Sequence, residues 1–561
     1  LRKFVPNSEK LKKLLFFIIS ITLLSQVVHA QQKKPVIIQN ADYTDKNQTE
    51  IPDAIVFIGN VVVLHEGIKM TCNKAYYFTK ENYVKLFGNV KMNQGDSLYM
   101  DSKYAEYNGN RKFAFATGDV NMRSPEMKLT TDTINFDRTI QQAYYNTYGT
   151  IVNGQNTLKS KSGRYIATQK KYEFRTAVVL TNPQYVLKSN YLDYYTNSGH
   201  SYVFGPTTIT SKDDFIYTEK GFYDTKKNLA HLLTNSYIKY GTRVIRGDSL
   251  YYNKPKNYSS ATNNVKITDS INKYVAKSHY AEIYRRIQSD SVVMTKHAVA
   301  MTLVEKDTLY THAKLMVITG KPGERIVRGY NNARFYKIDM SGKCDSIHSN
   351  EKIGLTQLIK RPVVWNGDSQ LTGDVIHIIS DNKTQQVDSL KVLNNAFIIQ
   401  KDTLGTGFNQ LKGKNLYGKF KDNKLSTVDL VGNAEKIYYM YDKLELFGID
   451  KGVGSRIHME LVDNKISSVY MYKRTESNTY PDSEFPQNVR KLRGFIWRGD
   501  EIIKTKDDIF PPEEKELHDK IVNQSAKDKK VEDTPMEPLK QTIDYDKNNP
   551  QPKPKPEVKS E

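Results

Sequence analysis

The chain has 561 residues and a formal net charge of +21, from 83 Lys and Arg against 62 Asp and Glu. Its two cysteines, Cys72 and Cys344, exclude a disulfide-built scaffold, and its length leaves room for several ordinary domains. Tyr is abundant (38), Trp nearly absent (2), and Thr, Asn, Asp and Lys are plentiful, which favours strands and turns over helices.

Arg2, Lys3, Lys10, Lys12 and Lys13 precede an apolar run, Leu14 to Leu24, which is followed by Val28-His29-Ala30. A spanning helix needs about 20 apolar residues, so this shorter run behind a basic leader reads as a cleaved export signal over residues 1–30. No cysteine stands directly after it, so a lipid anchor is not expected. No later segment is apolar enough to cross a membrane as a helix.

After Val36 to Ile38 and a polar stretch, one pattern returns along the chain. Phe57-Ile58-Gly59-Asn60-Val61-Val62-Val63, Phe87-Gly88-Asn89-Val90-Lys91-Met92 and Ala116-Thr117-Gly118-Asp119-Val120-Asn121-Met122 are close copies. Their glycines are 29 and 30 residues apart. Weaker copies lie at Phe204-Gly205, Asn263-Asn264-Val265-Lys266-Ile267, Asn394-Asn395 and Gly432-Asn433. Gly-Asn and Gly-Asp tolerate φ > 0 and suit a turn or bulge at a strand start. The residues that follow alternate apolar and polar, as in a strand with one buried face.

Two further elements recur in each unit. One is Asp-Ser/Thr-aliphatic: Asp96-Ser97-Leu98, Asp132-Thr133-Ile134, Asp248-Ser249-Leu250, Asp269-Ser270-Ile271, Asp307-Thr308-Leu309 and Asp388-Ser389-Leu390. It reads as a turn opening a strand, although it resembles a bacterial O-glycosylation acceptor. The other is an aromatic pair, as in Ala75-Tyr76-Tyr77 and Tyr104-Ala105-Glu106-Tyr107. A period of about 29 residues marks an array whose neighbours must stack to bury their apolar faces. The expected fold is all-β: an elongated, edge-stacked β-jellyroll or β-solenoid, with Val61, Val63, Val90, Met92, Leu98, Met100, Val120, Met122, Ile134, Phe136, Val265 and Ile267 inward. In such an array Cys72 and Cys344 lie too far apart to pair and should be isolated buried thiols.

From Gly499 onward, Pro511-Pro512, mixed Glu and Lys, and Pro550, Pro552, Pro554 and Pro556 predict a disordered tail over residues 500–561. At most a short helix is expected, over Glu513 to Val522. The histidines, including His65, His231, His297, His312 and His458, are scattered, and no metal-ligand motif, nucleotide loop or catalytic constellation is present. No cofactor is expected. The lysines are spread along the strands and no nucleic-acid motif occurs, so a solvated sheet face is the simplest reading of the charge, with no nucleic-acid partner.

The strings Phe57-Ile58-Gly59-Asn60-Val61-Val62-Val63, Gly67-Ile68-Lys69-Met70 and Ala75-Tyr76-Tyr77, continued by Gly88-Asn89-Val90, resemble the start of the OstA/LptA-like lipopolysaccharide-transport family. The likeness is clearest over residues 36–210. It implies a non-enzymatic periplasmic β-jellyroll that shields the acyl chains of lipopolysaccharide. It also implies edge-strand pairing with other jellyroll components of a bridge, and an outer-membrane translocon as a further partner. The twelve inward residues named above become the implied lipid contacts. The chain is longer than a single jellyroll, so an OstA-like segment over 31–210 and continued repeats over 211–499 are expected. No membrane barrel is expected after Gly499. The expected place is the periplasm, peripheral to the outer membrane. The alternative is a structural or adhesive cell-surface β-solenoid that binds glycans or proteins.

Overall fold

The computed structural model describes residues 34–532, apart from 47–51, 96–97, 126, 270–273, 286–289, 305–306, 321–322, 382–385, 422–423 and 463–464. The export signal expected over residues 1–30 lies outside the described residues. The chain forms two compact units, dividing between Lys212 and Asp213. Each is antiparallel β in architecture, as the alternating pattern predicts.

In the first unit, short β1 (Ile37–Asn40) and β2 (Tyr43–Asp45) both pair with β3 (Ala54–His65). A meander follows: β4 (Ile68–Phe78), β5 (Tyr83–Gln94), β6 (Leu98–Asn108), β7 (Phe113–Arg123) and β8 (Lys128–Asp137). Next come β9 (Gln142–Tyr145), β10 (Gly149–Asn153), β11 (Asn156–Ser160) and β12 (Ser162–Ile166), then long β13 (Lys171–Asn182), β14 (Tyr185–Tyr195) and β15 (His200–Ser211). The 29-residue repeat is therefore a hairpin of two long strands.

The Gly-Asn pairs do not open these strands; they bend them at the middle. Ile58 faces Lys74 and Val61 faces Cys72, so Gly59 and Asn60 together oppose Asn73 alone. This is a β-bulge, which kinks the strand and increases its twist. Both bulge residues have positive φ, 77° and 42° here and 81° and 53° at Gly118 and Asp119. Turns and bulges demand the same backbone tolerance, which is why composition alone did not separate them. The aromatic element is likewise no separate strand: Leu98 and Tyr107 lie on one strand, β6, either side of its bend.

The bends divide the unit into two half-sheets meeting at a corner. Beyond β8, β9 and β12 extend one half while β10 and β11 extend the other. Because two bulge residues count as one, the inward set keeps its parity along a bulged strand, Leu86 then Val90 and Ala116 then Val120, and changes it on the unbulged partner, Met70 then Ala75 and Met100 then Ala105. On the unbulged strand a small donor caps a carbonyl two residues on. Cys72 Sγ donates to Lys74 O (3.2 Å), Ser102 Oγ to Tyr104 O (3.2 Å), Ser160 Oγ to Ser162 O (3.0 Å) and Ser189 Oγ to Tyr191 O (3.0 Å). These bonds satisfy carbonyls where the bulge interrupts the ladder. In the second unit Thr218, Ser278 and Cys344 do the same. Both cysteines are free and buried, each at a position taken elsewhere by Ser or Thr.

The second unit repeats the design and adds a covering. Ala396 and Ala434 follow bulges and face inward, so Phe397, Ile399, Ile437 and Tyr439 show a second, outward apolar set. Phe485, Leu492, Phe495 and Trp497 pack over that set. Farther along, Ile503, Ile509 and Phe510 cover Val299, Met301, Tyr310 and Tyr336. Two buried glutamines clamp this strap. Gln410 donates to Arg490 O (2.7 Å) and accepts from Leu492 N (2.8 Å). Gln370 donates to Ile496 O and accepts from Arg498 N, both at 2.7 Å. Helix α1 (Pro512–Glu532) continues the strap. Ordered chain thus runs past residue 500, because apolar side chains between Phe485 and Phe510 are spaced to meet the outward set. Residues 533–561 lie outside the described residues.

Two predictions follow from this geometry. Gly118→Ala places a Cβ 2.8 Å from that of Lys103 on a left-handed backbone, and should destabilise the first unit by about 1–2 kcal/mol. Asp119→Gly, at the adjoining bulge position, should cost nothing; urea denaturation of both variants decides. The strap should also respond to acid. Glu501 bonds Arg498 and Lys343 (2.7 and 2.6 Å), and chiefly the Arg498 bond lowers its pKa from 4.5 to about 2. A depressed carboxylate stabilises fully above its unfolded pKa, so this anchor should hold above pH 4.5 and fail as pH falls toward 2. Hydrogen exchange at residues 495–505 should show that loss, and Glu501→Gln should show it at neutral pH.

Candidate functional site

The interior of the first unit is lined by ladders of residues that face one another across successive strands. On one half-sheet the ladder reads Val63, Met70, Met92, Met100, Met122, Leu129 and Ile151. On the other it reads Phe57, Ala75, Leu86, Ala105, Ala116 and Ile134. The small alanines of one half-sheet leave room for the methionines of the other, and all but half-buried Phe57 lie buried in one cluster.

Burial varies along the ladder. Val61 and Val63 are wholly enclosed, whereas Met92, Met100 and Met122 retain 7, 7 and 8% exposure. Leu98 and Phe136 are only half-buried. The predicted contacts Val61, Val63, Val90, Met92, Leu98, Met100, Val120, Met122, Ile134 and Phe136 thus come together in a single interior. Val265 and Ile267 are buried too, but in the second unit.

Polar groups join the half-sheets opposite the corner. His65 Nδ1 lies 2.7 Å from Tyr107 Oη, and its Nε2 lies 3.0 Å from Lys34 O. Arg138 donates to Tyr107 Oη (3.2 Å) and sits 3.6 Å from the Glu66 carboxylate, which also pairs with Lys112 at 3.0 Å. The Lys112 bond is the main reason Glu66 is held below the usual carboxylate range. Val36 plugs the first rung, its N–H donating to Asn82. Farther along, Tyr172 Oη reaches Met127 Sδ across the opening (3.1 Å). Sequence reading missed this latch, although His65 continues the inward phase of Val61 and Val63.

The second unit is closed by ion pairs at the strand ends of successive rungs: Asp214–Arg285 at 2.6 Å, Arg243–Asp290 at 3.1 Å and Asp269–Arg325 at 2.7 Å. Arg285 lies 4.1 Å from the Tyr240 ring and Arg325 5.1 Å from that of Tyr274. Breaking such a buried pair on one side costs about 3–5 kcal/mol, so this closure is firm. Val265 and Ile267 lie behind it.

The other face of the first unit carries an aromatic ladder. Phe87 lies 4.9 Å from both Tyr76 and Tyr104. Tyr99 is 40% exposed, as its alternation with Leu98 and Met100 predicts. Of the Asp-Ser/Thr-aliphatic triplets, those at Asp248 and Asp307 open strands, while Asp132 and Asp388 lie within them.

Residues 33–190 match the model of the family described as OstA-like protein. No curated protein matches the chain. Among solved structures, similarity is found to LptH of Pseudomonas aeruginosa, described as the LptA-homologous periplasmic component of the conserved lipopolysaccharide transport device. The match has 16% identity over 25% of this chain and 95% of that one, with a TM-score of 0.20, at which the likeness carries no weight. The match over residues 33–190 makes this part of the chain similar to the OstA-like protein family.

Proposed function

We propose that the chain is a non-enzymatic, exported lipopolysaccharide-binding component of a periplasmic bridge serving outer-membrane assembly. The observation that carries this reading is that the OstA-like segment coincides with the methionine-lined interior of the first unit. Methionine is flexible and fits irregular apolar partners, acyl chains among them. Met92, Met100 and Met122, with Leu98 and Phe136, lie where burial is incomplete and are assigned to acyl contact. Val61, Val90, Val120 and Ile134 form the floor near the corner, and Val63 is the enclosed end of the methionine ladder. Val265 and Ile267 would take lipid only after the ionic closure opened. Lys112 and Arg138, now held by Glu66, suit the phosphates of a lipid A head group.

Edge strands suit assembly with neighbouring jellyroll components. Among the described residues β1 and β2 pair only with β3, which leaves their outer backbone groups for strand addition. An outer-membrane translocon is the partner this reading expects at the delivering end.

A second reading has its own support. The enclosed corner and the Tyr76–Phe87–Tyr104 ladder also suit a sealed solenoid that binds glycan on its outer aromatic face. A photoreactive phenylalanine placed singly at Met100 or at Tyr76 separates the two. Transport predicts lipid A crosslinked at position 100 and not at 76. Crosslinking to a glycan at 76, with none to lipid A at 100, would reject it. Met122→Glu should also lower lipid A capture by about tenfold or more in native mass spectrometry.

A further inference from the structure

Three histidines far apart in sequence converge where α1 crosses the bulge corners of the second unit. His279 follows the corner residue Ser278, and His297 is itself a bulge residue on the neighbouring rung, with φ of 63°. His518 comes from α1. One ring nitrogen from each lies within 4.8 Å of the others. His279 Nε2 and His518 Nδ1 are 2.9 Å apart.

We infer that His279, His297 and His518 form a binding site for a zinc-class divalent metal ion, which clasps α1 to two rungs of the second unit. Zinc–imidazole bonds of about 2.0–2.1 Å place tetrahedral donors roughly 3.4 Å apart, so two of the three are already near that spacing. The third must turn. His297 stacks on Phe510 at 3.6 Å and on His518 at 4.3 Å, and leaves that stack to aim a lone pair at the shared point. A donor set of imidazoles suits zinc and its neighbours over calcium or magnesium.

The surroundings fit this role. His279 is 2% exposed, and its Nδ1 accepts from Asn264 N at 3.3 Å, a long contact that the ring gives up when it takes the other tautomer and turns its Nε2 lone pair to the ion. Glu514, one turn before His518 on the same helix face, accepts from His297 N at 2.8 Å and is a carboxylate available for a fourth position. Asp248 anchors the helix farther on, accepting from Ser525 Oγ at 2.5 Å and from Asn264 at 2.7 Å. These contacts seat α1 without a metal, so the ion would tighten a docked helix.

The test uses the untagged full chain, stripped with chelator and titrated with zinc chloride by calorimetry. One equivalent should bind, and His518→Ala should weaken binding by about tenfold or more. Cobalt(II) should give a visible tetrahedral spectrum that the variant lacks. Zinc should slow proteolysis within α1 in the parent chain only. Absence of saturable binding, or equal binding by the parent, His518→Ala and His279→Ala, would overturn the assignment. His518 lies on the helix, so its replacement leaves the β structure intact to report.

Discussion

The bulged strand of each long hairpin in this protein turns a corner on two adjacent residues with positive φ, and the rest of the architecture depends on that pair. L-residues resist this backbone, so Gly, Asn and Asp collect there, and the sheet bends where they do. Two half-sheets then face each other without any connecting loop. The bend also explains the caps: a carbonyl freed by the bulge needs a donor, and Ser, Thr or Cys two residues earlier supplies it. Cys72 and Cys344 are accordingly capping donors, and burial raises their thiol pKa values to about 11 and 12, far from reactive.

Much of this was legible in the chain itself. The spacing of Gly59, Gly88 and Gly118 gave the repeat, and alternation around Val90 and Val120 gave the buried face. The position of the bend was not legible, because a turn and a bulge share the same left-handed requirement. The outward apolar set was hidden for another reason. Phe397, Ile399, Ile437 and Tyr439 alternate with Ala396 and Ala434, so their strands read as apolar on both faces. Only contact with Phe485 and Leu492 shows what covers the second face. The histidine trio was missed for want of distance information: 18 residues separate His279 from His297, and 221 more precede His518, yet the rung spacing and the helix bring all three together.

The two units close their interiors by different chemistry. The first uses a tyrosine, a histidine and one shared carboxylate, with two cations on Glu66. The second uses full ion pairs on successive rungs, backed by tyrosine rings. Asp269 also holds two cations, Arg243 at 3.7 Å and Arg325 at 2.7 Å, but its side chain is 1% exposed against 21% for Glu66. The closure of the first unit is therefore the one within reach of solvent, and the interior behind it is rich in methionine.

The glutamine clamps carry an implication for how the molecule is made. Gln370 and Gln410 each wait for backbone groups of residues between Arg490 and Arg498, which leave the ribosome some 80 to 130 residues later. Until then Phe397, Ile399 and Ile437 lack that cover, and a sheet with a bare apolar face is prone to stick to another copy. The strap thus acts as a late seal: a nascent chain stays adhesive on this face until the strap residues have been made, and factors that recognise exposed apolar sheet have that interval in which to hold it.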